Sequence, residues 1–207
     1  MANLLKPIPL VFWRSTAGRE PARDWLDELP PGDQRSTGRD IAEVQLDRAS
    51  GLPMCRSLGD DLWEARLSLA TRRKAGVLFG LHDGLLIALH AFIRETRATA
   101  ADDLALARQR FKETKTNPHL GSTFESWLDQ AGVREEAIAA AVKSMIGALI
   151  AEEMEKKNIS KVGMAEMMQT SRAQVDRLLD PTNGGATLET LMRAARVIGR
   201  ELRLELV

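Results

Sequence analysis

Residues 159–181 read ISKVGMAEMMQTSRAQVDRLLDP, and their spacing predicts two short helices joined by a tight turn. Met164, Ala165 and Met168 recur at helical intervals in the first half, as do Val175, Leu178 and Leu179 in the second. Ala165 sits four residues before the turn, where a larger side chain would hold the helices apart. Ser171 supplies an N-cap hydroxyl, and Gln174, three residues later, has the place of its capping-box partner. The second helix is therefore expected to begin at Ser171, with Arg172, Gln174 and Arg177 displayed on its early turns. Gln169 stands at the turn itself, where the chain is expected to go left-handed, a conformation that strains residues other than glycine.

This pattern resembles the helix-turn-helix of Cro/repressor-type regulators, whose second helix enters the DNA major groove. The resemblance implies operator DNA as partner, with Arg172, Gln174 and Arg177 reaching base edges and Lys161 and Ser171 nearer phosphates. An ordinary helical hairpin with a Met and Leu core has the same apolar spacing. The agreement of cap, small residue and spacing favours the DNA-binding reading.

Beyond this stretch, Asn183, Gly184 and Gly185 form a turn, and Thr187 caps a further helix to Ile198, stopped by Gly199. Residues 200–207 alternate charged side chains with Leu202, Leu204 and Leu206, which predicts a terminal β-strand. Such a strand adds to an existing edge or pairs with its twin in a homodimer. Ahead of the stretch, residues 134–157 form a long helix carrying Ile138, Val142, Met145, Ile146, Leu149 and Ile150, and 124–131 form a short one. Residues 114–122 are polar, hold Pro118 and Gly121, have no apolar period, and read as a linker.

The front of the chain has a different rhythm. PLVFWR at 9–14 is a strand, 20–29 a helix broken by Pro30, Pro31 and Gly32, and 33–49 a longer helix. An extended piece at 52–58 precedes strands at 62–69, 74–81 and 85–94, the last two joined through His82, Asp83 and Gly84. Residues 102–112 are again helical, with Leu104, Ala107 and Phe111 inward. The order β-α-α-β-β-β-α predicts an α+β domain, a small antiparallel sheet with helices packed on it, over residues 1–113. A mainly α domain with its terminal β-strand occupies 123–207.

Charge gives no shortcut to a partner. The 29 basic residues balance 29 acidic ones, so contact with nucleic acid must come from local patches. The single cysteine, Cys55, excludes an internal disulfide and points to a reducing cytoplasm. No apolar run approaches the roughly 18 residues of a membrane span, so no membrane partner is expected. His82 and His119 lie in loops without partner spacing, and neither a metal site nor a cofactor is expected.

The fragments LGDDLWEARLSL, AGVLFGLHDGLLIALHAFIRET and LALARQRF resemble the HigB branch of the RelE superfamily, toxins that cleave messenger RNA on the ribosome. The sequence behind the linker resembles a HigA-type antitoxin. The first resemblance implies a RelE-like fold, with Arg66, His90 and Arg94 at the catalytic positions. Arg72, Arg73, Lys74 and Arg97 are the further cations able to hold RNA. Departures from the family pattern are several. Glu95 replaces a lysine, Gly76 stands where relatives often carry arginine, and Ala98 and Ala100 replace a lysine and a proline. The chain has no tyrosine, which excludes a phenolic base. His90 alternates with Leu89 and Ala91, so a core histidine is as open a reading as a catalytic one.

Together the resemblances imply a toxin and its antitoxin in one polypeptide: a dimeric operator-binding domain behind an mRNA-interferase-like domain that is weakened or inactive. The alternative is a competent ribosome-dependent endoribonuclease kept silent by its own tail. A third reading is a transcription factor whose front domain senses a ligand.

Overall fold

The computed structural model describes residues 7–46, 55–94, 96, 99–116, 120–180 and 185–203, with backbone alone at 115 and 116. The chain forms two compact units, Met1–Ile138 and Ala139–Val207.

The first unit is built on a six-stranded sheet of β1 (Leu10–Trp13), β2 (Cys55–Gly59), β3 (Leu62–Ser68), β4 (Lys74–His82), β5 (Leu85–Ile93) and β6 (Leu120–Thr123), in the order β2-β3-β4-β5-β1-β6. Strands β2 to β5 form an antiparallel meander, but β1 runs parallel to β5, with Leu10 opposite Leu86 and Phe12 opposite Ala88. The sheet is thus mixed rather than antiparallel. The two helices between β1 and β2, α1 (Pro21–Asp27) and α2 (Pro31–Leu46), provide the long connection that a parallel return needs.

Both faces of the sheet are covered, so β4 is buried almost throughout. Helix α3 (Ala101–Thr116) packs Ala107 and Phe111 onto Leu62, Leu78, Leu89 and Phe92. Helices α1 and α2 take the other face, where Ala65, Leu67, Ala75, Val77 and Phe79 are buried. Asp33 at the start of α2 is fully buried and fastens that helix to the β3–β4 turn. It accepts hydrogen bonds from the Thr71 amide and hydroxyl, both at 2.9 Å, and pairs with Arg73 at 3.2 Å.

Burial pushes the Asp33 carboxyl up, but the bonds from Thr71 and Arg73 outweigh it and hold it below its ordinary value. An acid held down on folding adds stability above its unfolded pKa of about 3.9 and loses it as pH falls through the lower folded value. Asp33→Asn should therefore be less stable than the wild type at neutral pH and converge with it in acid. Parallel losses at every pH in thermal melts would contradict this.

Of the expected linker at 114–122, residues 117–119 lie outside the described residues, and those on either side belong to regular elements. Helix α3 continues to Thr116, and Leu120–Thr123 is strand β6, antiparallel to β1 with Val11 opposite Thr123. Gly121 allows the close approach: a Cβ there would lie 2.5 Å from the Phe12 carbonyl oxygen and 2.8 Å from the Glu20 carboxyl. Helix α4 (Phe124–Ala131) comes next, capped by Thr123, and buries Phe124, Trp127 and Leu128. Polar groups latch it down. Buried Glu20 accepts from Arg14 and from the Ser122 amide and hydroxyl, and Arg23 donates to Ser122, Ser126 and Gln130. The Trp127 indole donates to Asp27 at 2.9 Å. Residues 120–138 therefore belong to the first unit, and the division falls inside α5 (Arg134–Lys156).

The second unit is helical: the rest of α5, then α6 (Lys161–Met167), α7 (Arg172–Leu179) and α8 (Leu188–Val197). Its core joins Ile146, Ile150 and Met154 of α5 to Met164, Met168, Val175, Leu178, Leu191 and Ala194. The Lys157 ammonium donates to the Ile198 carbonyl at the end of α8, and Arg200 pairs with Glu153 at 2.8 Å. Residues 200–203 form no regular element, and the rest of the expected terminal strand, with Leu204 and Leu206, lies outside the described residues. So do Asn183 and Gly184 of the expected turn and Glu95, Arg97 and Ala98 of the front domain.

Candidate nucleic-acid interfaces

In the second unit, helices α6 and α7 meet at a turn built as the residues predict. Ser160 and Ser171 each cap a helix, accepting from the amides of Gly163 and Gln174 at 3.1 and 3.2 Å. Gln169 takes φ +52°, so the left-handed turn is made without glycine. Met164 and Ala165 are buried against Val175 and Leu178. Arg172 and Arg177 are exposed on α7, with Gln174 half-buried between them. Gln174 and Arg177 line a pocket of about 210 Å³ with Gly185, Ala186 and Thr190. Lys161 and Arg172 converge on one carboxylate, Asp176, at 2.6 and 3.8 Å, and Asp176 is held below its ordinary pKa mainly by the Lys161 hydrogen bond. Asp176 escaped the sequence reading, although its spacing four residues after Arg172 marks the pair.

In the first unit, the face under α3 carries Arg66, Lys74, His90 and Arg94 of the residues expected to meet RNA. Cross-strand register places Ser68 beside Lys74, Arg66 beside Gly76 and Phe92, and Glu64 beside Leu78 and His90. Arg66 is exposed, and Lys74 lies one row away with its ammonium 2.8 Å from the Ser68 hydroxyl. The basic triplet is divided by the turn. Arg72 sits at φ +65° and is exposed, while Arg73 turns to the other face to meet Asp33.

His90 adjoins an irregularity in the β4–β5 pairing: Leu78 faces His90 but Phe79 faces Ala88, leaving Leu89 as an extra residue. Both imidazole nitrogens have partners on α3. Nε2 is 2.9 Å from Asp103, and Nδ1 is 3.4 Å from Arg110, which also donates to the Leu89 carbonyl at 2.6 Å. Both ring nitrogens are thus used in joining β5 to α3. The ring also stacks on Phe92, 5.7 Å between centroids.

Arg94 reaches back across the sheet to Glu64, with side chains 7% and 0% exposed. Phe92 fills the space over Gly76, where a Cβ would fall 2.6 Å from its ring. Glu64, Phe92, Asp103 and Arg110 were not singled out from sequence. Glu64, two residues before Arg66 on an alternating strand, carried a readable signal. The α3 partners of His90 did not.

This face falls within the stretch that known sequences match. A model of the phage-derived protein Gp49-like family (DUF891) matches residues 24–112. The similarity begins in α1, ends in α3 and takes in Arg66, His90 and Arg94; β1, β6 and the second unit lie outside it. No curated protein matches the chain. Among the described residues no group of His, Cys, Asp and Glu is placed to hold a metal ion, and no helix is long and apolar enough to cross a membrane.

Proposed function

We propose that the chain joins a toxin and its antitoxin. The second unit binds operator DNA as a homodimer and represses transcription, and the first is a RelE/HigB-like domain of little or no ribonuclease activity in the cytoplasm. The observation that carries the reading is the α6–α7 pair, with serine-capped helices, a left-handed turn at Gln169, and Arg172, Gln174 and Arg177 along the outer helix. Weak RNA chemistry is supported by His90, whose nitrogens are engaged by α3, and by Arg94, which is paired with Glu64.

A dimer of such units reads two half-sites about one helical turn, roughly 34–36 Å, apart. Gln174→Ala or Arg177→Ala is expected to weaken operator binding by about 1–3 kcal/mol and binding to random DNA far less. Gel-shift titrations of the full chain on its own promoter DNA make the comparison. Equal losses on both DNAs would reduce α7 to an electrostatic contact and end the recognition role.

One observation favours the enzymatic alternative, with ribosome and mRNA as partners: Arg66 remains exposed on β3. Growth arrest on expressing residues 1–138 alone, abolished by Arg66→Ala, would put that alternative first.

A further inference from the structure

One cation of the α3 face is tied to a negative group of the protein's own. Arg66 and Glu64 are neighbours on one side of β3, Lys74 lies one row beyond Arg66, and Arg94 comes from the end of β5 to pair with Glu64. The arginine side chain passes the Gly76 row to do so, since the Arg94 amide bonds to the Lys74 carbonyl. Glu64 is completely buried, and its Oε2 has no hydrogen-bond partner among the described residues. A buried carboxylate half satisfied in this way is a costly choice for a mere structural tie, because an apolar side chain of similar length would pack there without it. The carboxylate holds the place at the Arg94 guanidinium that another anion would take, in the strand row next to Arg66.

We propose that Glu64 is an internal competitor for phosphate: it keeps the Arg66–Lys74–Arg94 face closed to the phosphodiester of single-stranded RNA. The inference rests on reading this face as a degenerate RNA site, and it assigns the silence to a residue of the front unit itself. The segment 120–138 supports that assignment, since it is attached at the β1 edge and to α1 and α2, not over β3. A phosphodiester approaching Arg94 must break its pairing with Glu64 and then lie beside an uncompensated buried carboxylate, which repels it. Removing the charge while keeping the shape weakens the first obstacle, since the amide oxygen accepts less strongly from Arg94, and removes the second.

The test uses the full chain and a short fluorescein-labelled single-stranded RNA at low salt, read by anisotropy. Glu64→Gln should bind it roughly tenfold tighter than wild type, the ratio shrinking as salt rises. Adding Arg94→Ala or Arg66→Ala should return the affinity to the wild-type level, which ties the gain to this face and not to the second unit. Unchanged affinity in a Glu64→Gln protein that melts normally would overturn the proposal, as would a gain that survives Arg94→Ala. Should Glu64→Gln melt below the assay temperature, Glu64→Met takes its place; if both unfold, the pair is a structural clasp and the proposal is overturned. Operator affinity of the same variants is a separate readout: its absence would defeat the DNA-binding reading while leaving the RNA result to stand or fall alone.

Discussion

Trp127→Ala is expected to lower the unfolding free energy of the first unit by about 3–5 kcal/mol. The side chain is fully buried, and its indole supplies the hydrogen bond to Asp27, a hundred residues away in sequence. The same reasoning decides where the chain can be cut. Ending it after residue 113 removes β6 and α4, taking buried Phe124 and Trp127 out of the core and leaving the β1 edge without its partner. A protein ending at residue 138 keeps them. Urea unfolding followed by tryptophan fluorescence should show a cooperative transition for 1–138 and a lower, broader one for 1–113. Equal transitions for the two fragments would show that α4 is not part of the cooperative unit.

A second large effect is expected at Gly76. The arginine that the resemblance leads one to expect here makes Gly76→Arg the obvious way to restore a cation, yet a Cβ alone would stand 2.6 Å from the Phe92 ring. Overpacking of this kind costs about 1–3 kcal/mol, and the full side chain should reach at least the top of that range. Phe92→Ala opens the space, so the double variant should lose less stability than the two single changes combined. Strict additivity in that cycle would mean that the ring moves aside freely. Gly76 and Phe92 thus fit each other, and an arginine at position 76 would be a packing change before it is an electrostatic one.

The meander and helices of the front domain were legible because their apolar residues alternate or recur at helical spacing and because Pro30, Pro31 and Gly32 divide α1 from α2. Strand β6 was not. Leu120, Gly121, Ser122 and Thr123 carry no strand pattern, and they become one because β1 offers an open edge and Glu20 binds Ser122. That partner lies 102 residues away, beyond any local signal. In the α6–α7 turn the Ser171 cap and the left-handed Gln169 were legible, since both are set by near neighbours. The partners of His90 and Arg94 were not, because Asp103, Arg110 and Glu64 reach them only once α3 and β3 are in place.

The pairing of Val11 with Thr123 sets a clock on synthesis. About 110 residues separate the two, and at about 5–20 residues per second a ribosome needs on the order of 5–20 s to make the second after the first. Until β5 is made β1 has no strand partner, and from then until Thr123 the nascent sheet has β1 without its outer neighbour, a template open to other chains. A message truncated before codon 120 would release that open-edged species permanently. In this chain the segment that finishes the front unit is read from the same message as the helices behind it, so the closed sheet is made only when translation has gone on toward the second unit.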